Sequence, residues 1–303
     1  MSTTLDIGLT FGIPDAEGRM FPVKGHHDGV PTKMAEYVFR SDLVKKALFW
    51  LSGQGGRSIY LTGPAGSGKT SLPEQMAARL AWPCATLSCN GRVERADVVG
   101  YLGLKDGGTA FIDGPLTRAM RDGHIMILDE GDSLPPSVTL VLNRVLEGGP
   151  LLIPETGETV SPHSDFRVAF TGNTRGRGDT TGTYRARQVQ DAAVLDRFLF
   201  VEVDYPTQEE ELSILAKKYA NLPKEIAEIL VNLAKETRAA YQGGELGAPI
   251  STRGLVRIAA TLISGIFAKA ANPILEAINF AYGDGLGPEE RDGVRKLLET
   301  VSA

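Results

Sequence analysis

The sequence predicts an α/β fold, in which a mostly parallel sheet carries helices on both faces and a small helical domain follows. Two observations support this prediction. Between residues 41 and 203, short apolar runs typical of strands alternate with helical segments, as they do in parallel sheets. After Pro206 the strand-like runs stop, and the chain shows helical segments separated by Gly- and Pro-containing loops.

The elements of the α/β part are predicted from the period of the apolar residues. Apolar residues at 43, 44, 47, 48, 50 and 51 form a helical stripe that Ser41 is expected to cap. Strands are predicted at Ser58–Thr62, 84–88, Ile125–Leu128, 166–171 and 198–203, and helices near 69–81, 115–122, 137–147 and 186–195. Two β-prone runs around Glu-Thr-Gly-Glu predict a β-hairpin within 148–165.

Three segments are expected along the 303 residues, which is room for about two domains. Residues 1–36 contain scattered Gly and Pro with little periodicity and are predicted to form an extended arm. The α/β core is expected over 37–205 and a helical domain of about four helices over 206–303. Thr207 and Glu210 have the spacing of a capping box, which predicts a helix start there.

The composition argues against several classes of protein. The formal net charge is −5 and the sequence pI about 5.5, whereas binding to nucleic acid depends on a basic patch. The start of the chain lacks the basic and apolar runs of a secretory signal, and no C-terminal apolar stretch is long enough to span a bilayer. A cytoplasmic protein is expected, with Cys84 and Cys89 as reduced thiols packed in the core.

A phosphate-binding loop is predicted between the first strand of the core and the helix that follows it. Residues 63–70 match G-x-x-x-x-G-K-[ST] without a mismatch. Backbone N–H groups of such a loop surround phosphates, and the following helix directs its positive end at them. Lys69 is expected to reach the β- and γ-phosphates, and Thr70 to bind Mg²⁺. The predicted nucleotide-binding residues are Gly63, Pro64, Ala65, Gly66, Ser67, Gly68, Lys69, Thr70 and Ser71.

Two carboxylates follow the apolar run Ile125–Leu128. Packing of a buried strand explains the run but not the acids at its end. Asp129 is expected to hold Mg²⁺ and Glu130 to polarise the attacking water as general base. A solvated strand end is the alternative. Together with the glycine-rich loop, the pair predicts hydrolysis of ATP with Mg²⁺ as cofactor.

Asn173 and Arg197 are the remaining candidate catalytic residues of the core. Asn173 ends the next predicted strand, where a polar side chain would face the γ-phosphate and the attacking water. Arg197 precedes the last predicted strand and is expected to reach a neighbouring subunit's nucleotide as an arginine finger. A surface ion pair with Asp196 is the alternative, and Arg185 and Arg187 are further candidates for the finger.

In the helical domain, Arg253 is expected to contact phosphate. It lies next to Ser251 and Thr252 at the start of a predicted helix. An ordinary arginine at a helix start is the alternative.

The order of these features resembles the AAA+ module of P-loop ATPases. Two insertions, at 98–115 and 148–165, narrow the resemblance to the MoxR branch. Within that branch, residues 77–84, 144–147 and 178–184 are similar to the CobS type of ATPase subunit of aerobic cobaltochelatase. The resemblance covers about residues 37–205 well and the helical part loosely.

The resemblance implies a three-layer AAA+ P-loop core with β-hairpin insertions and a C-terminal helical lid. It also implies a hexameric ring that spends ATP to remodel a client protein, together with a partner that contains a von Willebrand factor A domain. Phe111 and Ile112 of the first insertion are candidate pore-facing contacts, with packing against neighbouring residues as the alternative. Residues 179–184 are expected to form a subunit-interface loop, with a purely structural turn as the alternative. A nucleic-acid motor of a restriction-type system and a small-molecule kinase or monomeric switch are the alternatives.

Overall fold

The computed structural model describes residues 3–25, 28–178 and 187–302. The chain divides into two compact units. The first consists of Met1–Met34, Phe39–Gly63 and Gly68–Val203, and the second of Ala35–Val38, Pro64–Ser67 and Asp204–Ala303. The division therefore passes between Val203 and Asp204, and the domain limits expected from the sequence stay a prediction.

The N-terminal segment is folded onto the first unit, so the prediction of an extended arm is wrong in conformation. Strand β1 (Thr4–Asp6) pairs with β2 (Met20–Pro22) in antiparallel register, and helix α1 (Ile7–Phe11) lies between them in sequence. Phe11 is 3% exposed and contacts the ring of Phe39 edge-on at 4.9 Å. Because this segment's apolar residues have neither a helical nor a strand period, their burial was not evident from the sequence.

The remaining elements of the first unit follow the predicted alternation. They are α2 (Ser41–Ser52), β3 (Ser58–Thr62), α3 (Ser71–Arg79), β4 (Cys84–Ser88), α4 (Arg95–Val98), β5 (Gly100–Lys105), β6 (Gly108–Asp113), α5 (Pro115–Asp122), β7 (Ile125–Asp129), α6 (Pro136–Leu146), β8 (Leu151–Ile153), β9 (Glu158–Val160), β10 (Arg167–Gly172), α7 (Ala192–Leu195) and β11 (Leu199–Glu202). Ser41, the predicted cap, is the first residue of α2, because Arg40 is the last residue with extended backbone.

Five strands form one parallel sheet in the order β11-β3-β10-β7-β4. The predicted α/β fold with a parallel sheet is therefore confirmed. In the sheet, β3 lies between β11 and β10, whereas the sheet strand that follows it in the chain, β4, lies at one edge. The chain therefore leaves β3 toward the β4 edge and leaves β10 toward the opposite edge, where β11 lies. Such a switch point opens a crevice at the carboxyl ends of the strands, where ligands of α/β proteins bind.

The central strands are buried on both faces because their apolar residues alternate between two cores. One core lies against α5 and α6 and the other against α2, α3 and the N-terminal segment. Sheet residues of the first core are Tyr60, Met126, Leu128, Val168 and Phe170, and those of the second are Ile59, Leu61, Ile125, Ile127 and Ala169. A continuous apolar run is what a strand covered on both faces requires.

Both predicted insertions contain antiparallel hairpins. β8 pairs with β9, and β5 pairs with β6. In the β5–β6 hairpin, Phe111 packs against the first core and Ile112 is half-buried, which favours the packing alternative over a pore-facing role for these two side chains. The exposed apolar side chains are instead Tyr101, Leu102 and Leu104 on the opposite strand, with Leu104 85% exposed.

The prediction of a helix near 186–195 is wrong for most of the residues that the structure describes there. Only Ala192–Leu195 is helical, because the side chain of Asp191 accepts a hydrogen bond from the backbone of Ala193 and starts the helix there. Upstream, Val189 forms an antiparallel bridge with Arg177. The predicted interface loop 179–184 and Arg185 lie outside the described residues.

The second unit is helical, as predicted. Its helices are α8 (Gln208–Lys218), α9 (Lys224–Gln242), α10 (Thr252–Ile263), α11 (Pro273–Ala281) and α12 (Pro288–Ser302). Thr207 and Glu210 form the predicted capping box at the start of α8. Buried Glu211 accepts two hydrogen bonds from Arg238 and one from Thr252, and so joins three helices. In the described part of the chain, no helix has the length and apolar character needed to cross a membrane.

The packing of the N-terminal segment predicts a large effect of one substitution. Phe11→Ala should lower the free energy of unfolding of the first unit by about 3–5 kcal/mol, because it leaves a cavity in the second core. Urea titration followed by tryptophan fluorescence measures this, since both tryptophans, Trp50 and Trp82, are buried in that core. The control Leu9→Ala, at a side chain 75% exposed, should change stability by about 0.5 kcal/mol or less. Equal effects of the two substitutions would contradict the packing.

Candidate active site

The glycine-rich loop begins where β3 ends. Gly63 has φ 150°, and a Cβ at this position would lie 2.1 Å from the carbonyl oxygen of Val203, so only glycine fits. Lys69 is buried, and its ammonium donates hydrogen bonds to the carbonyl oxygen of Gly63 at 2.9 Å and to Oδ1 of Asn173 at 2.8 Å. The lysine therefore connects the loop with the turn after β10.

The middle of the loop, Pro64–Ser67, groups with the second unit. Gly66 has φ 76°, and a Cβ there would lie 2.7 Å from the Ser251 side chain and 3.7 Å from Cβ of Arg253. Arg253 is exposed, and no ion-pair partner is found for it among the residues that the structure describes. Its backbone thus lies beside the loop, and its contact with phosphate stays a prediction.

Asp129 and Thr70 meet at the carboxyl edge of the sheet. Oδ1 of Asp129 accepts hydrogen bonds from Thr70 Oγ1 at 2.6 Å and from Thr171 Oγ1 at 2.7 Å. Thr171 belongs to the neighbouring strand β10, and its hydroxyl also accepts a hydrogen bond from the backbone N–H of Glu130 at 3.0 Å. The predicted metal-binding oxygens are therefore adjacent, and Thr171 is an additional member of the cluster.

These oxygens suit Mg²⁺ in a nucleotide complex. Mg²⁺ keeps several waters and takes one or two protein oxygens together with substrate phosphates. Asp129 and Thr70 supply that kind of donor set. Within the described ranges there is no group of three or more His, Cys, Asp or Glu side chains that would enclose a metal by itself.

Glu130 has an unusual backbone conformation. Its φ of 56° and ψ of 34° lie in the left-handed region, which non-glycine residues rarely adopt. The left-handed residue turns the chain sharply at the end of β7. The side chain is 57% exposed, and its Oε1 lies 3.4 Å from Nη2 of Arg187.

Asp132 holds the turn that carries Asn173, a role that the sequence did not reveal. This carboxylate is fully buried, and its Oδ2 accepts hydrogen bonds from the backbone N–H groups of Asn173 and Thr174 and from the hydroxyl of Thr174 at 2.9–3.0 Å. Its Oδ1 has no well-directed donor among the described residues, but Nη1 of Arg187 lies 3.1 Å away. An acid inside Gly-Asp-Ser has the pattern of an exposed turn, so no local signal marks its burial.

Of the three arginines considered for the finger, the two that the structure describes lie in different surroundings. Arg197 pairs with Glu147 at 2.8 Å and not with Asp196, the alternative considered for it, and its Nε has no hydrogen-bond partner in the described structure. Arg187 is 8% exposed and pairs with Asp132 and Glu130 of its own chain.

Burial shifts the ionisation of several groups of the site. Desolvation lowers the pKa of Lys69 to about 8, although Asp132 and Asp129 act in the opposite direction. Bound phosphate would favour the charged ammonium, since an adjacent anion stabilises a cation. Burial also raises the pKa values of the Cys84 and Cys89 thiols to about 12, so both are protonated at neutral pH.

Comparisons with known proteins place this arrangement in a family. An AAA domain of the dynein-related subfamily matches residues 58–198, and a CbbQ/NirQ/NorQ C-terminal domain matches 211–301. Aerobic cobaltochelatase subunit CobS from Sinorhizobium sp is 34% identical over 265 residues, which cover 84% of this chain and 79% of that relative. Protein NorQ from Paracoccus denitrificans is 34% identical, with coverage of 71% and 77%, and protein CbbQ from Hydrogenophilus thermoluteolus is 33% identical, with 69% and 75%.

The structural comparison agrees at the level of the fold. A point mutant of Thermotoga maritima RuvB superposes with a TM-score of 0.54 at 18% sequence identity, covering 82% of this chain and 73% of that one. At this identity the likeness concerns the fold alone. From the sequence relatives and the matched domains, the chain belongs to the MoxR-type AAA+ ATPases, the group of CobS, NorQ and CbbQ, and it hydrolyses ATP.

Proposed function

We propose that this ATPase works as a hexameric ring that uses Mg²⁺-dependent ATP hydrolysis to remodel a client protein. The observation that carries the proposal is the meeting of Lys69, Thr70, Asp129, Glu130 and Asn173 at one edge of the sheet, in a chain related to CobS. The relative's name describes a subunit of a larger enzyme, which supports a partner-dependent role. Because ATP is the substrate, we place its action in the cytoplasm.

In the proposed mechanism, each residue of the edge has one task. The Lys69 ammonium and the backbone N–H groups of the loop 63–71, which every residue except Pro64 can supply, bind the phosphates. Thr70 and Asp129 would hold Mg²⁺, which would neutralise phosphate charge. Glu130 takes a proton from water as the water oxygen attacks the γ-phosphorus, and Asn173 orients that water. The bond from the γ-phosphorus to the bridging oxygen breaks, so that ADP and inorganic phosphate are the products. Arg253 is proposed to contact phosphate.

Arg197 is proposed to act across the subunit interface as an arginine finger. It donates a hydrogen bond to the carbonyl oxygen of Ala193 and pairs with Glu147, an exposed carboxylate. The ion pair can be exchanged for the phosphate of a neighbouring subunit at little cost, because exposed pairs are weak. The partner of the ring is proposed to contain a von Willebrand factor A domain, as the MoxR resemblance implies.

The β5–β6 hairpin is the proposed contact with the client. Tyr101, Leu102 and Leu104 are exposed, and Leu102 and Leu104 share one face of β5, because side chains two positions apart in a strand point the same way. Exposed apolar surface of this kind typically marks a binding site. These residues take the place of Phe111 and Ile112, which the sequence suggested for this task.

The general-base assignment predicts the behaviour of Glu130→Gln. Turnover should fall by about 10²–10⁴-fold, because the amide cannot accept the proton of the attacking water. Nucleotide affinity should be retained, since the loop and Lys69 are unchanged. Phosphate release and titration with a fluorescent ATP analogue measure the two quantities. Glu299→Gln, at an exposed position of α12, is the matched control and should hydrolyse ATP normally. Normal turnover by Glu130→Gln would contradict the assignment.

If Arg197 acts as a finger across the subunit interface, two inactive variants should complement each other. Arg197→Ala alone should lose about 10³–10⁵-fold in turnover. Mixed with Glu130→Gln, it should regain activity, because an interface then combines Glu130 of one subunit with Arg197 of the other. Phosphate release is measured in mixtures whose co-assembly is verified by native mass spectrometry. Mixed rings without activity would contradict a finger in trans. Arg95→Ala, at a surface ion pair with Glu155, is the arginine control.

If the β5–β6 hairpin binds the client, substitutions in it should impair client binding without changing ATP hydrolysis. Leu102→Ser with Leu104→Ser should leave basal ATP hydrolysis unchanged, because neither side chain belongs to the core or to the nucleotide site. In pull-downs with Glu130→Gln protein held in ATP, partners retained by the parent should be lost from the hairpin variant. Leu152→Ser, at an exposed leucine of the other hairpin, is the matched control. Equal retention by parent and hairpin variant would exclude this surface.

A further inference from the structure

Arg187 is a buried arginine that faces three polar side chains at the end of β7. Its Nη1 lies 3.1 Å from Oδ1 of Asp132 and donates a hydrogen bond to Ser133 Oγ. Its Nη2 lies 3.4 Å from Oε1 of Glu130. The side chain is 8% exposed, so these contacts replace most of its hydration.

The position of this guanidinium is fixed by its surroundings. Asp132 is fully buried, and a buried carboxylate requires a counter-charge and hydrogen bonds. Three donors from the Asn173–Thr174 turn engage its other oxygen, which leaves Arg187 to neutralise it. The backbone beyond Arg187 is held too, because the N–H of Gln188 donates to the carbonyl oxygen of Asp132 at 2.8 Å.

Because the guanidinium group of Arg187 is planar and rigid, the position of Nη1 determines where Nη2 points. With Nη1 held by Asp132 and Ser133, Nη2 faces the carboxylate of Glu130. The backbone of Glu130 is held from the opposite side by Thr171 at 3.0 Å. Glu130 is thus restrained at its amide by a strand and at its carboxylate by a buried cation, although more than half of its side chain is exposed.

We propose that Arg187 is a positioning residue that acts within its own subunit and orients the Glu130 carboxylate for ATP hydrolysis. The inference rests on the proposed function in one respect, namely that Glu130 is the general base. It assigns Arg187 a role different from that of a finger, since its partners lie in the same chain. Lysine cannot replace it fully, because a point charge cannot bridge two carboxylates as a planar fork does.

Steady-state kinetics of two substitutions test the proposal. Arg187→Met should lower kcat by about 10–100-fold, since displacing a catalytic group by about 1 Å costs up to about 100-fold. KM for ATP should stay within about twofold, because Lys69 keeps its hydrogen bonds to the Gly63 carbonyl oxygen and to Asn173 when Arg187 is replaced. Arg187→Lys, which keeps a cation beside Asp132, should have an intermediate kcat. Arg95→Met is the matched control and should behave as the parent.

A double-mutant cycle with Glu130→Ala distinguishes positioning from a structural effect. When Glu130 has no carboxylate, Arg187 has nothing to orient, so adding Arg187→Met should leave the residual single-turnover rate unchanged. Multiplicative losses would overturn the proposal. If Glu130→Ala alone retains full turnover, the general-base assignment fails instead. If that variant is inactive while Arg187→Met keeps full kcat, the general base stands and the proposal falls.

Two further measurements keep the test decisive. Where Arg187→Met fails to fold by tryptophan fluorescence, Arg187→Lys decides, and parental kcat in the lysine variant would overturn the proposal. Mixtures of Arg187→Met with Glu130→Gln should release phosphate no faster than the two variants measured separately, because each defect lies in its own subunit's site. Restored phosphate release in such mixtures would show that Arg187 acts in trans and would equally overturn it.

Discussion

The alignment of parallel strands is the constraint on which the candidate site depends. Because all five strands of the sheet run in one direction, β3, β7 and β10 end at the same edge. Thr62, Asp129 and Gly172 end these strands, so the glycine-rich loop, the two acids and Asn173 meet there although they are far apart in sequence. The site thus follows from strand register, and its oxygens converge without any long loop being ordered for that purpose.

The buried carboxylate of Asp132 then orients side chains whose positions strand register alone does not determine. Asp132 accepts hydrogen bonds from two backbone N–H groups and one hydroxyl of the turn after β10. Burying that carboxylate is unfavourable unless it is paired, and pairing it brings Arg187 against Glu130. One desolvated carboxylate therefore links the orientation of Asn173 with that of Glu130, and through Asn173 with Lys69.

The sequence predicted those parts that local pattern determines. The glycine-rich loop, the strand Ser58–Thr62 and the acids after Ile125–Leu128 are contiguous signals, and the structure has these strands at the predicted positions. Asp132 and Arg187 could not be predicted, because their burial depends on contacts between segments more than 40 residues apart. The burial of Phe11 was missed for a related reason: a short segment without periodicity becomes part of the core only through α2 and the sheet. The helix predicted near 186–195 was wrong because its apolar spacing was helical, whereas Asp191 caps a single turn and Val189 pairs with Arg177.

The magnitudes of the ion pairs decide which arginine can leave its partner during a catalytic cycle. The pair of Arg197 with Glu147 joins a partly exposed arginine to a carboxylate that is more than half exposed. Such pairs contribute about 0–1 kcal/mol, so Arg197 can give up Glu147 within each turnover. Removing Arg187 from Asp132 would leave a fully buried carboxylate without its counter-charge, at a cost of about 3–5 kcal/mol. A finger that moves must be held weakly, and a group that orients a general base must be held firmly. By this criterion Arg197 is suited to reach across an interface, and Arg187 is suited to remain in its own subunit.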